Sequence, residues 1–543
     1  MNNIIPPLQK HGNIIDLINR RIFPGTITIE NGKILSVKEE PESKYDHFIM
    51  PGFIDSHVHI ESSMLTPTEF ARLASVHGTV ATVSDPHEIG NVLGIEGVRY
   101  MIKNSKLTPF YFYFGAPSCV PATSFETSGA KINADDISTL FKDDELKYLS
   151  EMMNYPAVLN KDPEVIKKIK IAQEFGLPVD GHSPGLKGEQ AIHYIEAGIS
   201  TDHECYTLDE AIHKLKHGMK ILIREGSAAK NYEALHSIVG SHPEMVMFCS
   251  DDKHPHELVK GHINQLVKRA IIDHGYNVID VLRCASLNPI MHYKLDVGLL
   301  RPGDSADFIV IDNLSDFNIL QTYINGMVVA EKGKSLLPYI PGEIVNKFDT
   351  EEKIIDDFRV ELDGHFTKII QAVDKELITK QFETILDPEN PINISKDILK
   401  LAVTCRYNNE KTALAFINGF GLKKGAIASS VAHDSHNIIA VGTNDADICM
   451  AVNRIIKEKG GIALALDGKV EILPLPIAGL MSPDDGYTVA KSYTMIDNMA
   501  KELGSNLVSP FMTLSFMALL VIPSLKLSDK GLFDGTAFKF VKK

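Results

Sequence analysis

No two of the six cysteines form a C-x-x-C pair; Cys119, Cys205, Cys249, Cys284, Cys405 and Cys449 are scattered singly. That spacing excludes a zinc ribbon and a disulfide scaffold and fits a reducing cytoplasm. There is no basic run, and no interleaving of aromatic with basic residues. Lys plus Arg is 55 against 70 Asp plus Glu, a formal charge of −15, which is the wrong sign for holding a phosphate backbone. The opening "MNNIIPPLQKHGN" has no basic-then-apolar signal pattern. The most apolar run, Phe511 to Leu525, is shorter than a membrane span and contains Pro523, so it reads as buried core. Internal repeats and low-complexity tracts are missing too.

What is present is a chain of 543 residues, 44% hydrophobic and 23% charged, a globular balance sufficient for two or three domains. "GTITIENGKILSVKEE" alternates around Asn31-Gly32, a hairpin signal. The same style returns in "GLLRPGDSADFIVIDN" and in "ILQTYINGMVVAEKG", with Asn325-Gly326. Residues 1–50 and 296–345 therefore read as two parts of one small sheet domain flanking a central insert. Within 51–295, eight apolar strand-like runs alternate with helical patterns: "GFIDSHVHI", "GTVATVSDP", "PFYFYFGAP", "LKYLSEMMN", "LPVDGHSP", "ISTDHECY", "KILIREGS" and "MVMFCSDD". Eight βα repeats of this length match a (β/α)8 barrel. A doubly wound sheet is the alternative, but no glycine-rich phosphate loop follows the first strand. Residues 346–543 read as a C-terminal α+β domain, with a helix near 445–459 opened by Asn444 and Asp445. The expected class is α/β: a (β/α)8 barrel with a flanking sheet domain and this added domain.

In such a barrel the chemistry sits at the carboxyl ends of the strands. His57 and His59 end the first strand, and side chains at i and i+2 of a strand project together. Glu151 ends the fourth, His182 the fifth, His203 the sixth and Asp251 the eighth. Singly, each has an ordinary structural reading: a hydrogen-bonded histidine, a helix-start glutamate, an N-cap aspartate. Recurrence on five strand ends is hard to explain by packing. Four imidazoles and two carboxylates suit two divalent cations better than one, with Glu151 as the bridging carboxylate. Ligation by N and O without thiolate suits Zn, Fe or Mn alike.

"PGFIDSHVHIESS" resembles the first-strand motif of the amidohydrolase superfamily, and so do the flanking β segments, which implies a metal-dependent hydrolase barrel with a small β-sandwich (1–50 and 296–345) beside it. More narrowly, "SDPHEIGNVLG", "SEMMNYP", "DGHSPGLKG", "TDHECYT", "REGSAAKN", "CSDDKHP" and "VAHDSHNIIAVGTND" resemble the bacterial adenine deaminases over nearly the whole chain. The resemblance implies the same six ligands, with Glu151 standing where many relatives have a carboxylated lysine, and favours Mn or Fe as the cofactor pair. It implies hydrolytic deamination of adenine to hypoxanthine and ammonia in purine salvage or catabolism, by a metal-held hydroxide attacking C6. Asp251 would shuttle the proton to the leaving amine. His87 and Glu88 are candidates for protonating the ring, and Glu88, Glu225, Ser227 and Asp252 for holding the purine edge. Glu151, Asp251 and His87 are thus the expected catalytic set. The expected partner is a small-molecule substrate in a cytoplasmic homo-oligomer, a dimer, with no nucleic acid or membrane. Two rival readings are a cyclic-amide hydrolase of the same superfamily and a non-catalytic metal-binding protein. The cysteine-ligated zinc deaminases are excluded by the missing cysteine pair. His433, Asp434 and His436 read as a solvated loop, or else as a loop that closes the pocket or binds an additional metal.

Overall fold

Four amino-terminal strands come first: β1 (Leu8–Asp16), β2 (Arg21–Glu30), β3 (Lys33–Glu39) and β4 (Phe48–Pro51). Eight short strands follow: β5 (Phe53–Val58), β6 (Thr79–Ser84), β7 (Tyr111–Phe114), β8 (Leu149–Met152), β9 (Val179–Gly181), β10 (Thr201–Asp202), β11 (Lys220–Arg224) and β12 (Val246–Cys249). Then β13 (Phe308–Ile311), β14 (Ile319–Ile324), β15 (Met327–Glu331) and β16 (Lys334–Ser335) return to the first group. The computed structural model describes residues 7–144, 146–362 and 366–541. The first six residues of the amino-terminal stretch, and residues 363–365 of the charged segment after 346, lie outside them.

Each of the eight predicted stretches contains one of the strands β5–β12. They are buried along nearly their whole length, as parallel strands covered on both faces must be, and so read as apolar runs rather than alternating ones. Helices separate them. Asp162 caps the helix Pro163–Glu174 through the backbone N–H groups of Glu164 and Val165, with proline at the first helical position. Pairing is parallel from β5 to β6 to β7, from β8 to β9, and from β10 to β11 to β12. Parallel bridges link Ala116 to Leu149, Val179 to Ile199, and Val58 to Asp251. Parallel contacts therefore lead from β5 round to β12 and back to β5.

The flanking strands pair across the central insert. They form one continuous sheet in the order β16-β15-β14-β13-β4-β1-β2-β3. Its seam is β4 against β13, with Ile49 opposite Val310. The sheet curls on itself: the Ile34 amide donates to the Asp304 carbonyl at 2.9 Å, and Ile27, Ile34 and Ile49 share a core with Phe308 and Tyr323. Twist accumulated over eight strands brings the two ends together. Both Asn-Gly pairs occupy left-handed backbone, with φ of +50° and +78° at Asn31 and Gly32 and +50° and +72° at Asn325 and Gly326, as tight hairpins require.

Beyond residue 346 an eight-stranded sheet runs between Phe366–Ala372 and Lys469–Pro474. The helix Asp445–Glu458 packs on it through Ile448, Val452 and Ile455. Asn444 caps that helix, accepting from the Asp447 amide at 2.8 Å. The apolar run after Phe511 contributes the fully buried helix Pro510–Phe516. Among the described residues no helix is long and apolar enough to cross a membrane.

Candidate active site

A buried acid anchors the carboxyl end of β5. Asp55 accepts from the Ser250 amide at 2.9 Å and lies 2.7 Å from His262 Nε2, while His262 Nδ1 meets the Thr79 hydroxyl at 2.7 Å. This ties β5, β6 and β12 together beneath the cluster. Above it, the Asp251 amide donates to the His57 carbonyl at 2.9 Å. Asp251 itself sits at φ +54°, a left-handed position that aspartate tolerates better than most residues.

All six strand-end residues meet at one place, and all are buried. His57 Nε2 and His59 Nε2 are 3.2 Å apart. Asp251 Oδ1 lies 3.5 Å and 3.3 Å from them. Glu151 stands between two groups: Oε1 is 3.1 Å from His59 Nε2, and Oε2 is 2.6 Å from His182 Nδ1 and 3.2 Å from His203 Nε2. One carboxylate thus faces a His57–His59–Asp251 set with one oxygen and a His182–His203 set with the other. The His57 and His203 rings stack 4.0 Å apart, so four imidazoles share a dry space. His57 Nδ1 and His182 Nε2 have no hydrogen-bond partner.

The electrostatics follow from this crowding. Burial opposes ionisation of Glu151, but His182 and His203 override it and hold the carboxyl well below its ordinary range. Burial likewise opposes the charge on Asp251, and Arg224 overrides it. Arg224 Nη1 donates to Asp251 Oδ2 at 2.6 Å and also to Glu204 Oε1, while Nη2 reaches Glu204 Oε2 at 3.0 Å. The fork fixes Asp251 with Oδ1 toward the two histidines. Donors of this chemistry, N and O without thiolate and packed at ligand spacing, fit divalent cations.

The other predicted residues divide. His87 joins the cluster: Nδ1 is 3.1 Å from Asp85 Oδ2 and 3.6 Å from Glu151 Oε1. Glu88 is buried beside it, but both its oxygens are already engaged, by His433 Nδ1 at 2.5 Å and by His436 Nε2. Asp252 is held by the Ser62 hydroxyl at 2.5 Å, and burial together with Asp251 raises its pKa. Ser227 accepts from the His254 amide at 2.9 Å, so its hydroxyl braces the loop after β12. Glu225 points elsewhere, into an ion pair with Arg269 at 2.9 Å, because a nearby guanidinium outcompetes an empty mouth for its charge. The loop read as solvated is not: His433, Asp434 and His436 are 5%, 3% and 1% exposed, and they cover the cluster from the carboxy-terminal region.

Asp85, Glu204 and Arg224 were not singled out in the sequence. Asp85 follows β6 and Arg224 ends β11, so the strand-end criterion, applied to every strand, would have found both.

The model of the amidohydrolase family matches residues 48–329, and that of the adenine deaminase C-terminal domain matches residues 376–539. The adenine deaminase of Sulfurovum sp. (strain NBC37-1) is 56% identical over 535 residues, covering 98% of this chain and 99% of the relative. That of Salinibacter ruber (strain DSM 13855 / M31) is 52% identical over 536 residues, covering 98% of each chain. The chain therefore belongs to the amidohydrolase family and, within it, to the adenine deaminases.

Proposed function

We propose that this protein hydrolyses adenine to hypoxanthine and ammonia at the cluster of His57, His59, Glu151, His182, His203 and Asp251. The observation that carries the reading is Glu151, whose two oxygens face two separate groups of nitrogen and oxygen donors. His57, His59 and Asp251 would hold one divalent cation, His182 and His203 the other, and Glu151 both, with Mn or Fe favoured. When bound, such a pair supplies an acidified water, with a pKa of about 7, and hence a nucleophile at neutral pH.

The residues of the chain do the rest. Asp251, pinned by Arg224, takes the proton of the attacking water and returns it to the leaving amine as the C6–N bond breaks. His87 presents Nδ1 toward the cluster as the group that donates to a ring nitrogen. Asp252 lines the purine edge, while Glu88 is taken up by His433 and His436, and Glu225 and Ser227 are left to brace the surrounding loops. Burial of every donor excludes bulk water and strengthens these charge interactions.

The same reading takes β5–β12 with their helices as a (β/α)8 barrel over 51–295, flanked by a small β domain from 1–50 and 296–345 and followed by an α+β domain over 346–543. The ring of parallel pairings supports it. A cytoplasmic homodimer completes the picture and is checked by light scattering after size exclusion. The deciding experiment is metal analysis beside an adenine assay before and after chelation. Two metal equivalents or more and chelator-sensitive conversion to hypoxanthine are expected. Hydrolysis of hydantoins or dihydropyrimidines with adenine left intact would replace this reading by a cyclic-amide hydrolase.

A further inference from the structure

His87 has two faces. Its Nδ1 looks toward Asp85 and Glu151. Its Nε2 looks away from them, 3.4 Å from Glu88 Oε1. On that far side His87, Glu88 and Asp434 each present a ligand atom within 4.8 Å of the others, all buried. His433 Nδ1 is 2.5 Å from the same Glu88 oxygen. One imidazole and two carboxylates thus converge a second time, outside the six-residue cluster, with His433 against one of the carboxylates.

The side chains around these two acids are unequal. Glu88 has no lysine or arginine partner among the described residues; its ionic partners are His87, His433 and His436. Asp434 Oδ2 is buried without any hydrogen-bond partner, a condition that ordinarily costs about 1–3 kcal/mol and more for a charged group. The unpartnered Asp434 oxygen, buried at ligand spacing from His87 and Glu88, is the feature a cation would satisfy.

The surrounding contacts have the form of ligand-orienting contacts. His436 Nδ1 accepts from the Ala432 amide at 3.2 Å, which leaves its proton on Nε2 to donate to Glu88 Oε2. His436 is therefore a partner that aims the carboxylate, and not itself a donor to a metal. Asp85 Oδ2 lies 3.1 Å from His87 Nδ1 with no hydrogen bond formed between them, and a proton on Nδ1 turned to that carboxylate would free the Nε2 lone pair. Carboxylates behind metal-bound imidazoles act in this way.

We propose that His87 Nε2, Glu88, His433 Nδ1 and Asp434 bind a third divalent cation of the first transition row, separate from the pair at Glu151. The nitrogen content of the set favours Mn, Fe or Zn over Mg or Ca. The site is built half from the loop after β6 and half from residues 433–434, so the cation ties the carboxy-terminal region to the barrel. It also holds the His87 proton on Nδ1, the nitrogen that faces Glu151.

The test is a metal count on the full-length protein, stripped with chelator and reconstituted with Mn(II) alone. Wild type is expected to retain three equivalents per chain, and His433→Ala and Asp434→Ala two each. Glu151→Ala is expected to lose the pair and keep one. Should the alanine variants fail to fold by circular dichroism, Asp434→Asn, which preserves shape and removes the charge, carries the comparison. Equal stoichiometry in wild type and in the folded variants at 433 and 434 overturns the proposal. The count does not depend on adenine turnover, so failure here is distinguishable from failure of the deaminase reading.

Discussion

Arg224→Met should damage the protein in two separable ways. Its guanidinium is buried and is shared between Asp251 and Glu204. Methionine fills much of the same volume but leaves two buried carboxylates facing each other. A pair of unit charges about 4 Å apart interacts with roughly 4 kcal/mol at an effective dielectric near 20. Part of that offsets desolvation, and removing one partner of a buried ion pair typically destabilises by about 3–5 kcal/mol. Spread over a unit of this size, the loss should lower the midpoint of thermal unfolding by roughly 10 °C. The deficit should shrink when Mn(II) is added, because a cation on Asp251 replaces part of the missing charge. Turnover should fall as well, since Asp251 Oδ1 is no longer aimed; a loss of kcat/KM of about 10–100-fold is the scale for such supporting contacts. Arg224→Lys should be intermediate, since an ammonium carries the charge without the fork. Calorimetry of stripped and Mn(II)-loaded protein, with an adenine assay on the loaded samples, checks both effects. A stripped Arg224→Met protein that unfolds within a degree of wild type, with kcat/KM within twofold, would refute the reasoning.

Asp251→Asn should keep most of the metal and lose turnover by about 10²–10⁴-fold, the range for removal of a general acid–base group; metal analysis beside kcat decides, and near-normal kcat removes Asp251 from that role. Glu151→Ala should release cations that wild type retains on dialysis, and an unchanged metal content counts against bridging. Lys526 is wholly buried and donates only to the carbonyls of Leu377 and Phe516. Burial lowers its pKa from 10.5 to about 7. The folded state therefore binds fewer protons than the unfolded state between those values, so stability should rise as pH climbs from about 7 to 10.5, by at most on the order of 5 kcal/mol. Lys526→Met should flatten that rise, and an unaltered pH slope in denaturant titrations would show that the lysine stays charged.

Much of this was legible in the chain. The strands β5–β12 announce themselves as apolar runs because both faces are covered, and the polar residue that closes a run is the one that faces the cluster. His57, His59, Glu151, His182, His203 and Asp251 were found by that criterion alone. Glu88 was marked as functional without its partners: His433 and His436 lie about 350 residues away, beyond any periodicity. The burial of His433–His436 escaped for the same reason, since a polar heptapeptide looks solvated until something covers it. Glu225 misled because sequence gives position along a strand end but not the pull of Arg269. The curling of the flanking strands into one continuous sheet depends on accumulated twist and the β4–β13 seam, neither of which is written in a local pattern.

That seam has a consequence for how the chain is made. β4 leaves the ribosome about 250 residues before β13, its antiparallel neighbour. At about 5–20 residues per second the open side of β4 waits roughly 15–50 seconds for its partner. During that interval a strand bearing Ile49 and Met50 offers unpaired amides and carbonyls to any passing chain. Nascent-chain holding factors should engage this protein early and let go once residue 335 has emerged. A rearranged chain in which the segment 308–335 is moved to directly before residue 8 would shorten the exposure and should aggregate less during synthesis.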